Sequence, residues 1–280
     1  MSELLIELFS EEIPSSLQVN ARSQIEKLLS QKLKSSNLNY KNLSVYSTPT
    51  RLTVLVSSLP ILIKIPGGEI KGPKVGVPEN VIENFARSKE INVSDLYQKQ
   101  LDKGNFYFAK IKSKEIKTED ELSKLIPKLL NEISWKKSMR WSNYNLSWGR
   151  PLRSILVIFN KKPLKMNFEH LNTVNFTLIE ENGELKQKKV QSFLEYQAFL
   201  RKHKIILDHN ERKKFILNKI NLICKTKSCK ILVDESLLIE VCNLVDKPTV
   251  IIAKFDKTYL ELPKEIIKST LQFHQRYFTL

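Results

Sequence analysis

The apolar positions of this 280-residue chain change period several times, and each change marks an element. LLIELF (4–9) is a short, nearly continuous apolar run and predicts a strand. From Pro14 to Ser36 the residues Leu17, Ala21, Ile25, Leu28, Leu29 and Leu33 recur at helical spacing, and Pro14 suits a first helical turn. LSVYSTPTRLTVLVSSL (43–59) then offers two strand runs flanking the turn-like TPTR. The order β-α-β-β resembles half of a ferredoxin-like unit, with the helix stripe buried on a small antiparallel sheet.

IPGGEIKGPKVGVP (65–78) holds Gly67, Gly68, Gly72 and Gly76 with Pro66, Pro73 and Pro78, and reads as a loop. No GK[ST] follows, which excludes a P-loop. A helix is expected over 79–90 and a hairpin turn with a strand over 102–112. A further helix is expected over 118–133, with Thr118 and Glu121 as a capping box. RSILVIFN (153–160) has a buried-strand pattern, and KPLKMNF (162–168) and NFTLI (175–179) follow as strands. ENGELKQKK (181–189) reads as a turn with a basic run. From 191 the chain turns helical, with Phe193, Tyr196 and Leu200 on one face. Asp208 and Glu211 form a second expected capping box, for a helix carrying Ile216, Ile220 and Ile223. Residues 235–245 read as a helix and 248–255 as a strand. Pro263 opens a last helix with Ile267, Leu271, His274 and Phe278 on one stripe.

The predicted class is α+β: an N-terminal β-α-β-β unit (1–66), a mixed α+β middle (67–190) and a helix-rich C-terminal part (191–280). A hydrophobic fraction of 41% is enough for a sizeable core. No run of eighteen apolar residues exists, and the acidic N-terminus is too short in its apolar part for a secretory signal. The expectation is a cytoplasmic protein with no membrane partner. The net charge of +16 suits a polyanion such as RNA. The excess rests on 37 Lys against 9 Arg, beside 20 Asn, and such a bias also follows from genome composition.

Cys224, Cys229 and Cys242 are too few and unevenly placed for a disulfide framework, and no second close pair completes a zinc site. They read as buried free thiols. Glu11 and Glu12 precede Pro14, where carboxylates either do acid–base work or favour a helix dipole; the second reading is preferred. His170, His203, His209 and His274 are scattered, and His274 falls on the predicted apolar stripe. No nucleophile elbow, dinucleotide glycine pattern or HExxH occurs, so no catalytic residue is assigned and no metal site is expected.

The strongest local signal is WKKSMRWSNYNLSWGRPLR (135–153). It contains every tryptophan of the chain (Trp135, Trp141 and Trp148), three of the nine arginines and no acidic residue. Lys136, Lys137, Arg140, Arg150 and Arg153 are the candidate nucleic-acid-binding residues, the arginines because a planar guanidinium matches phosphate bidentately. Met139 and Trp141 are expected to anchor the fold against the following strand. The patch reads as a packed aromatic corner with a basic rim, facing either RNA phosphate or an acidic surface of a neighbouring chain.

Several blocks resemble one family. LLIELFSEEIP resembles the LLVEIGTEELP-type opening of the bacterial glycyl-tRNA synthetase beta subunit, and STPTRLTVLV (47–56) its TPRRLAVLV block. KSMRW (137–141) and GRPLRSILVIF (149–159) are similar to its KxMRW and VRPVHWLVALL blocks. KGP (71–73), DHNERKKFI (208–216), residues 234–256 and LELPKEIIKSTLQFHQRYF (260–278) match in order. Two departures stand out. TVNFTL (173–178) replaces a TxGHRF-like block, with Asn175, Phe176 and Thr177 for its glycine, histidine and arginine, and Arg153-Ser154 stands for His-Trp.

The resemblance implies a beta subunit of glycine-tRNA ligase that binds tRNA(Gly) and assembles with an alpha subunit as two alpha and two beta chains. It places glycine and ATP, used with Mg, on the alpha subunit, with no cofactor bound by this chain and no activity by it alone. The family's subunit is more than twice as long and continues into an HD-like helical region and an anticodon-binding domain, so the sequence reads as a split or truncated form. The alternatives are a stand-alone RNA-binding module derived from that subunit, or a non-functional remnant.

Overall fold

In the computed structural model, residues 2–279 are described apart from Pro66, Glu90, Lys103, Lys112, Lys230 and Leu232. The fold is α+β. It divides into residues 62–120 and a larger unit of residues 1–61 with 121–280.

The larger unit is built on strand β1 (Ser2–Ser10), helix α1 (Ser15–Ser35), and strands β2 (Asn42–Thr48) and β3 (Arg51–Leu59), the expected β-α-β-β order. The smaller unit follows in sequence. It contains β4 (Leu62–Ile65), β5 (Gly68–Lys74), α2 (Glu79–Ser88), β6 (Leu96–Leu101), β7 (Gly104–Ile111) and β8 (Lys114–Lys117). Strands β5, β7 and β6 form one antiparallel sheet, and β4 pairs with β8.

The expected loop over 65–78 is therefore mostly strand. β5 lies at a sheet edge, where Pro73 is tolerated because its missing N–H faces no partner. Its register shifts between Lys71 and Lys74. Gly72 is there for close approach: a Cβ would come within 2.7 Å of the Phe85 ring of α2. Pro66 of that expected loop, and Glu90 at the end of the expected 79–90 helix, lie outside the described residues.

After α3 (Thr118–Glu132) the chain re-enters the main sheet as β9 (Leu152–Phe159), antiparallel to β1. The short strands β10 (Lys162–Pro163), β11 (Asn167–Phe168) and β12 (Leu171–Val174) extend it, in the order β11-β12-β9-β1-β3-β2 with β10 also on β9. The 162–168 stretch thus yields two fragments of two residues rather than one strand. Because β9 pairs with β1, residues 121–280 cluster with residues 1–61, apart from residues 62–120.

β1 is buried along almost its whole length because both sheet faces are covered. Leu8, Leu52 and Ser47 are register partners on one face, and Ser47 meets Gln18 of α1 through a 2.9 Å hydrogen bond. Glu7, Thr53 and Tyr46 are partners on the other face. There Tyr46 stacks on Phe193 of α4 (Phe193–Lys202). Leu5, Leu156, Ile158, Tyr196 and Leu200 form the core on that side. α3 is fastened alongside α1 by Lys32–Glu132 at 2.6 Å, Ser36–Glu121 at 2.6 Å and the Gln24 amide on Ser134. Glu121 is thus engaged elsewhere, and the expected Thr118 capping box does not form; the buried Thr118 hydroxyl has no hydrogen-bond partner among the described residues.

β13 (Phe176–Glu181) and β14 (Glu184–Lys189) form a hairpin: the expected turn lies at residues 182–183, and the basic run after it is a strand. Its two-residue turn uses Asn182 and Gly183, both at positive φ. α5 (His209–Lys227) and α6 (Glu235–Leu244) close the unit. Ile216, Ile220, Leu238 and two of the free cysteines, Cys224 and Cys242, form their shared core. Asp208 caps α5 through the Asn210 N–H, while Glu211 pairs with Arg201 instead of completing a box. Arg212 of α5 is fully buried and donates to the carbonyls of Cys242, Leu207 and Ser47, tying α5 to α6 and β2.

Residues 248–255 do not form the expected strand. A strand needs a backbone partner, and among the described residues none pairs with this stretch; Ile251 is 81% exposed. The last helix is short, α7 (Lys264–Ser269) followed by a π turn to His274. His274 is exposed, so it is not on a buried apolar stripe.

Candidate nucleic-acid interface

The tryptophan stretch links α3 to β9. Met139 and Trp148 exchange backbone hydrogen bonds of 2.8 and 3.1 Å, closing residues 140–147 into a loop. The Ser147 hydroxyl donates to that of Ser138 at 2.9 Å, beside this bridge. Trp148 points inward, 1% exposed, with ring centroids 5.1 Å from Trp135 and 6.0 Å from Phe168. Gly149 makes that packing possible, because a Cβ there would lie 2.5 Å from the Trp135 ring. The fold anchor is therefore Trp148 backed by Trp135. Met139 is 40% exposed and Trp141 is only partly buried, so the expectation that these two anchor the fold is corrected.

The loop carries a second aromatic group. The Tyr144 ring lies parallel to that of His170, 3.5 Å between centroids and 3° between planes. Trp141 meets His170 edge-on at 5.8 Å. Tyr144 itself is 42% exposed.

The five candidate cations separate into three kinds. Lys136, Lys137 and Arg140 are exposed and make no ion pair among the described residues. Arg150 is partly buried and donates to its own neighbour, the Gly149 carbonyl, at 3.0 Å. Arg153 lies over the Phe9 ring, between Glu11 at 3.4 Å and Glu180 at 3.7 Å. Its guanidinium is already held by protein carboxylates. The same ion pair explains Glu11: it precedes α1 by four residues and pairs with Arg153, while the first turn of α1 has no acidic residue. The basic rim thus reduces to Lys136, Lys137 and Arg140, with Arg150 beside them in sequence.

A buried polar cluster sits elsewhere, on β1. Glu7 and Arg51 are each 1% exposed. One oxygen of Glu7 accepts from Arg51 at 3.2 Å, Thr177 at 2.9 Å and Tyr196 at 2.7 Å, and the Tyr196 hydroxyl also meets Thr53 at 2.9 Å. Burial pushes the Glu7 carboxyl up, and Arg51, Tyr196 and Thr177 pull it back. Burial, the largest single influence, pushes Arg51 down, but Glu7, Tyr196 and Asp246 together outweigh it and the net direction is up. These directions oppose each other, one arguing against a charged pair and one for it. The geometry decides for the charged pair, since three donors converge on one carboxylate oxygen as they do on an ionised acceptor. Thr177, at the departure from the family's TxGHRF-like block, is a member of this interior cluster and is itself buried.

A groove of about 490 Å³ runs between the start of α1 and α6, lined by Ser15, Ser16, Val19, Ile239 and Leu244 among others. Its lining includes Ser236 and Glu240, but Ser236 donates to Asp234 and Glu240 accepts from Arg276, and among the described residues no serine of the groove is hydrogen-bonded to Glu240. Among the described residues no group of three or more His, Cys, Asp or Glu side chains could hold a metal ion, and no helix is long and apolar enough to cross a membrane.

The glycyl-tRNA synthetase beta subunit family matches residues 4–280. The glycine-tRNA ligase beta subunit of Rickettsia prowazekii (strain Madrid E) is 35% identical over 280 residues, all of this chain and 42% of that protein. Those of Rickettsia akari (strain Hartford) and Rickettsia bellii (strain OSU 85-389) are each 34% identical, again over 100% of this chain and 42% of theirs. The chain thus spans 42% of the length of these relatives. With the match running almost from end to end, the chain belongs to the glycyl-tRNA synthetase beta subunit family.

Proposed function

We propose that the chain works as part of a glycine-tRNA ligase beta subunit, binding tRNA(Gly) and assembling with a catalytic alpha subunit in the cytoplasm. In this reading it supports the ATP-dependent attachment of glycine to tRNA. Glycine, ATP and Mg are handled by the alpha subunit, and this chain binds no cofactor of its own. The observation that carries the reading is family membership across residues 4–280. The exposed Lys136, Lys137 and Arg140 support the tRNA contact, because phosphate is met best by cations with no competing carboxylate. Arg153, held by Glu11 and Glu180, has a positioning part.

The test mixes the purified chain with the alpha subunit of the same genome and, separately, titrates it with labelled tRNA(Gly). Co-elution with the alpha subunit and salt-sensitive tRNA binding are expected. A chain that binds neither partner at micromolar concentration overturns the reading.

A further inference from the structure

We propose that the open face of Tyr144 is a stacking platform for an unpaired RNA base, with Lys136, Lys137 and Arg140 holding the flanking phosphates. The proposal deepens, and rests on, the reading that this chain contacts tRNA. It starts from the geometry of the 140–147 loop. A lone exposed tyrosine is ordinary and carries no meaning. Tyr144 is not alone: its ring is layered on His170 at 3.5 Å with 3° between the planes, and Trp141 supports His170 edge-on at 5.8 Å. No other ring contact of Tyr144 occurs among the described residues, and the residue is 42% exposed. One ring face is thus committed to the stack.

The platform is held in place before any ligand arrives. The Met139–Trp148 bridge closes the loop, buried Trp148 roots it in the core, and the Tyr144 N–H donates to the Trp141 carbonyl at 3.3 Å. A ring already ordered loses little conformational entropy on binding. The surroundings select the ligand. Residues 135–153 contain no carboxylate, and Lys136, Lys137 and Arg140 have no ion-pair partner among the described residues. Glu169, exposed beside His170, is the acidic residue adjoining the stack in sequence. An exposed aromatic face on a loop flanked in sequence by cations with no ion-pair partner among the described residues fits a π system carrying phosphate. A base within a duplex cannot reach such a face, so the ligand is a splayed base of a loop, bulge or end. A protein partner would instead need an acidic segment to meet these cations.

The test compares wild type, Tyr144→Ala, Tyr144→Phe and the triple variant Lys136→Glu/Lys137→Glu/Arg140→Glu. Two probes are used, a tRNA(Gly) transcript and a short uridine oligonucleotide carrying 5-iodouridine. Tyr144→Ala is expected to weaken both probes by roughly tenfold, equivalent to about 1.4 kcal/mol, with the salt slope and melting temperature unchanged. Tyr144→Phe, which keeps the ring, should bind as wild type. Photocrosslinking of the oligonucleotide should map to Tyr144 by mass spectrometry. If Tyr144→Ala binds both probes as wild type while the triple variant loses them, the platform is refuted and the tRNA-binding reading survives. If Tyr144→Ala loses the alpha subunit but keeps RNA, the face belongs to a protein contact and the proposal falls. If wild type binds neither probe, the platform and the tRNA-binding reading fall together.

Discussion

Glu7→Gln is the most informative single substitution in the core. It keeps the side-chain shape and removes only the charge. Arg51, 1% exposed, then has no carboxylate, and its Nε already lacks a hydrogen-bond partner among the described residues. Breaking one half of a buried ion pair costs about 3–5 kcal/mol, because the other charge is left uncompensated. For a unit of this size each kcal/mol moves the melting temperature by about 2–4 °C, so the expected drop is roughly 6–20 °C. The double variant Glu7→Leu/Arg51→Met removes both charges and should recover much of that loss, since apolar replacement of a buried pair is often neutral. It will not recover all, because Thr177 and Tyr196 lose an acceptor while Tyr196 retains Thr53. Thermal melts of these variants beside wild type separate the two effects. A Glu7→Gln protein melting within about 2 °C of wild type, less than about 1 kcal/mol, would show that the carboxyl is already neutral and that the pair is not ionic.

Other expectations follow from the same geometry. Trp148→Ala should destabilise by about 3–5 kcal/mol while Trp141→Ala costs far less, which paired thermal melts will show. The triple charge reversal at Lys136, Lys137 and Arg140 should weaken tRNA binding and flatten its salt dependence, by up to about 0.9 in slope for each phosphate no longer neutralised. Arg153→Glu should instead lower the melting temperature, and weakened binding at unchanged stability would contradict its place between Glu11 and Glu180. His209 is pushed down to about 4 from 6.5, first by burial and then by Arg22 and Arg212, with Asp208 opposing. A depressed value means that its share of stability is present above about 6.5 and is lost as pH falls from there through about 4. That share is at most about 3 kcal/mol at ~1.4 per pH unit, reduced by the partial exposure of the ring, and His209→Gln should flatten the acid limb of a stability-against-pH curve. The purified chain alone should show no glycine-dependent ATP–pyrophosphate exchange, and measurable exchange would remove the assignment of chemistry to the alpha subunit.

Much of the scaffold is legible in the sequence because its elements are amphipathic over long stretches. The stripe Leu17, Ala21, Ile25, Leu29 and Leu33 is the buried face of α1, and LLIELF and SILVIF are the two central strands β1 and β9. Punctuation is what misleads. Glycine and proline at 65–78 read as a loop, yet Gly72 admits Phe85 and Pro73 sits on an edge, uses that depend on neighbours remote in sequence. PTVIIAKF has the composition of a strand, but strand formation is a property of a pair, and composition names no partner. Capping pairs also mislead in both directions. Glu121 and Glu211 are engaged by Ser36 and Arg201, whereas at α4 an unforeseen cap forms, in which the Ser192 hydroxyl accepts from the Glu195 N–H and the Glu195 carboxylate from the Gln191 N–H.

The site is legible as a segment but not as a surface. Concentrated tryptophan and arginine single out 135–153, and one-dimensional reading cannot say which rings face inward. The Met139–Trp148 bridge decides it. Bridge partners share one side of a strand pair, but Trp148 is 1% exposed and Met139 40%, so depth is set by what lies over each, here Trp135 and Phe168. The exposed stack depends on His170, 26 positions beyond Tyr144 and, by sequence, one of four scattered histidines. The sequence carries no signal for it; in the fold, a short turn between β11 and β12, where Glu169 takes a positive φ, precedes the His170 ring that stacks on Tyr144. Glu7 leaves a plainer mark. A carboxylate inside an otherwise apolar strand must meet a buried cation or lose its charge. Arg51, at the start of the strand that pairs with β1, is a candidate within reach two register positions away. Reading each buried charge as a demand for a partner finds that pair from the sequence, whereas nothing short of the fold places Tyr144 on His170.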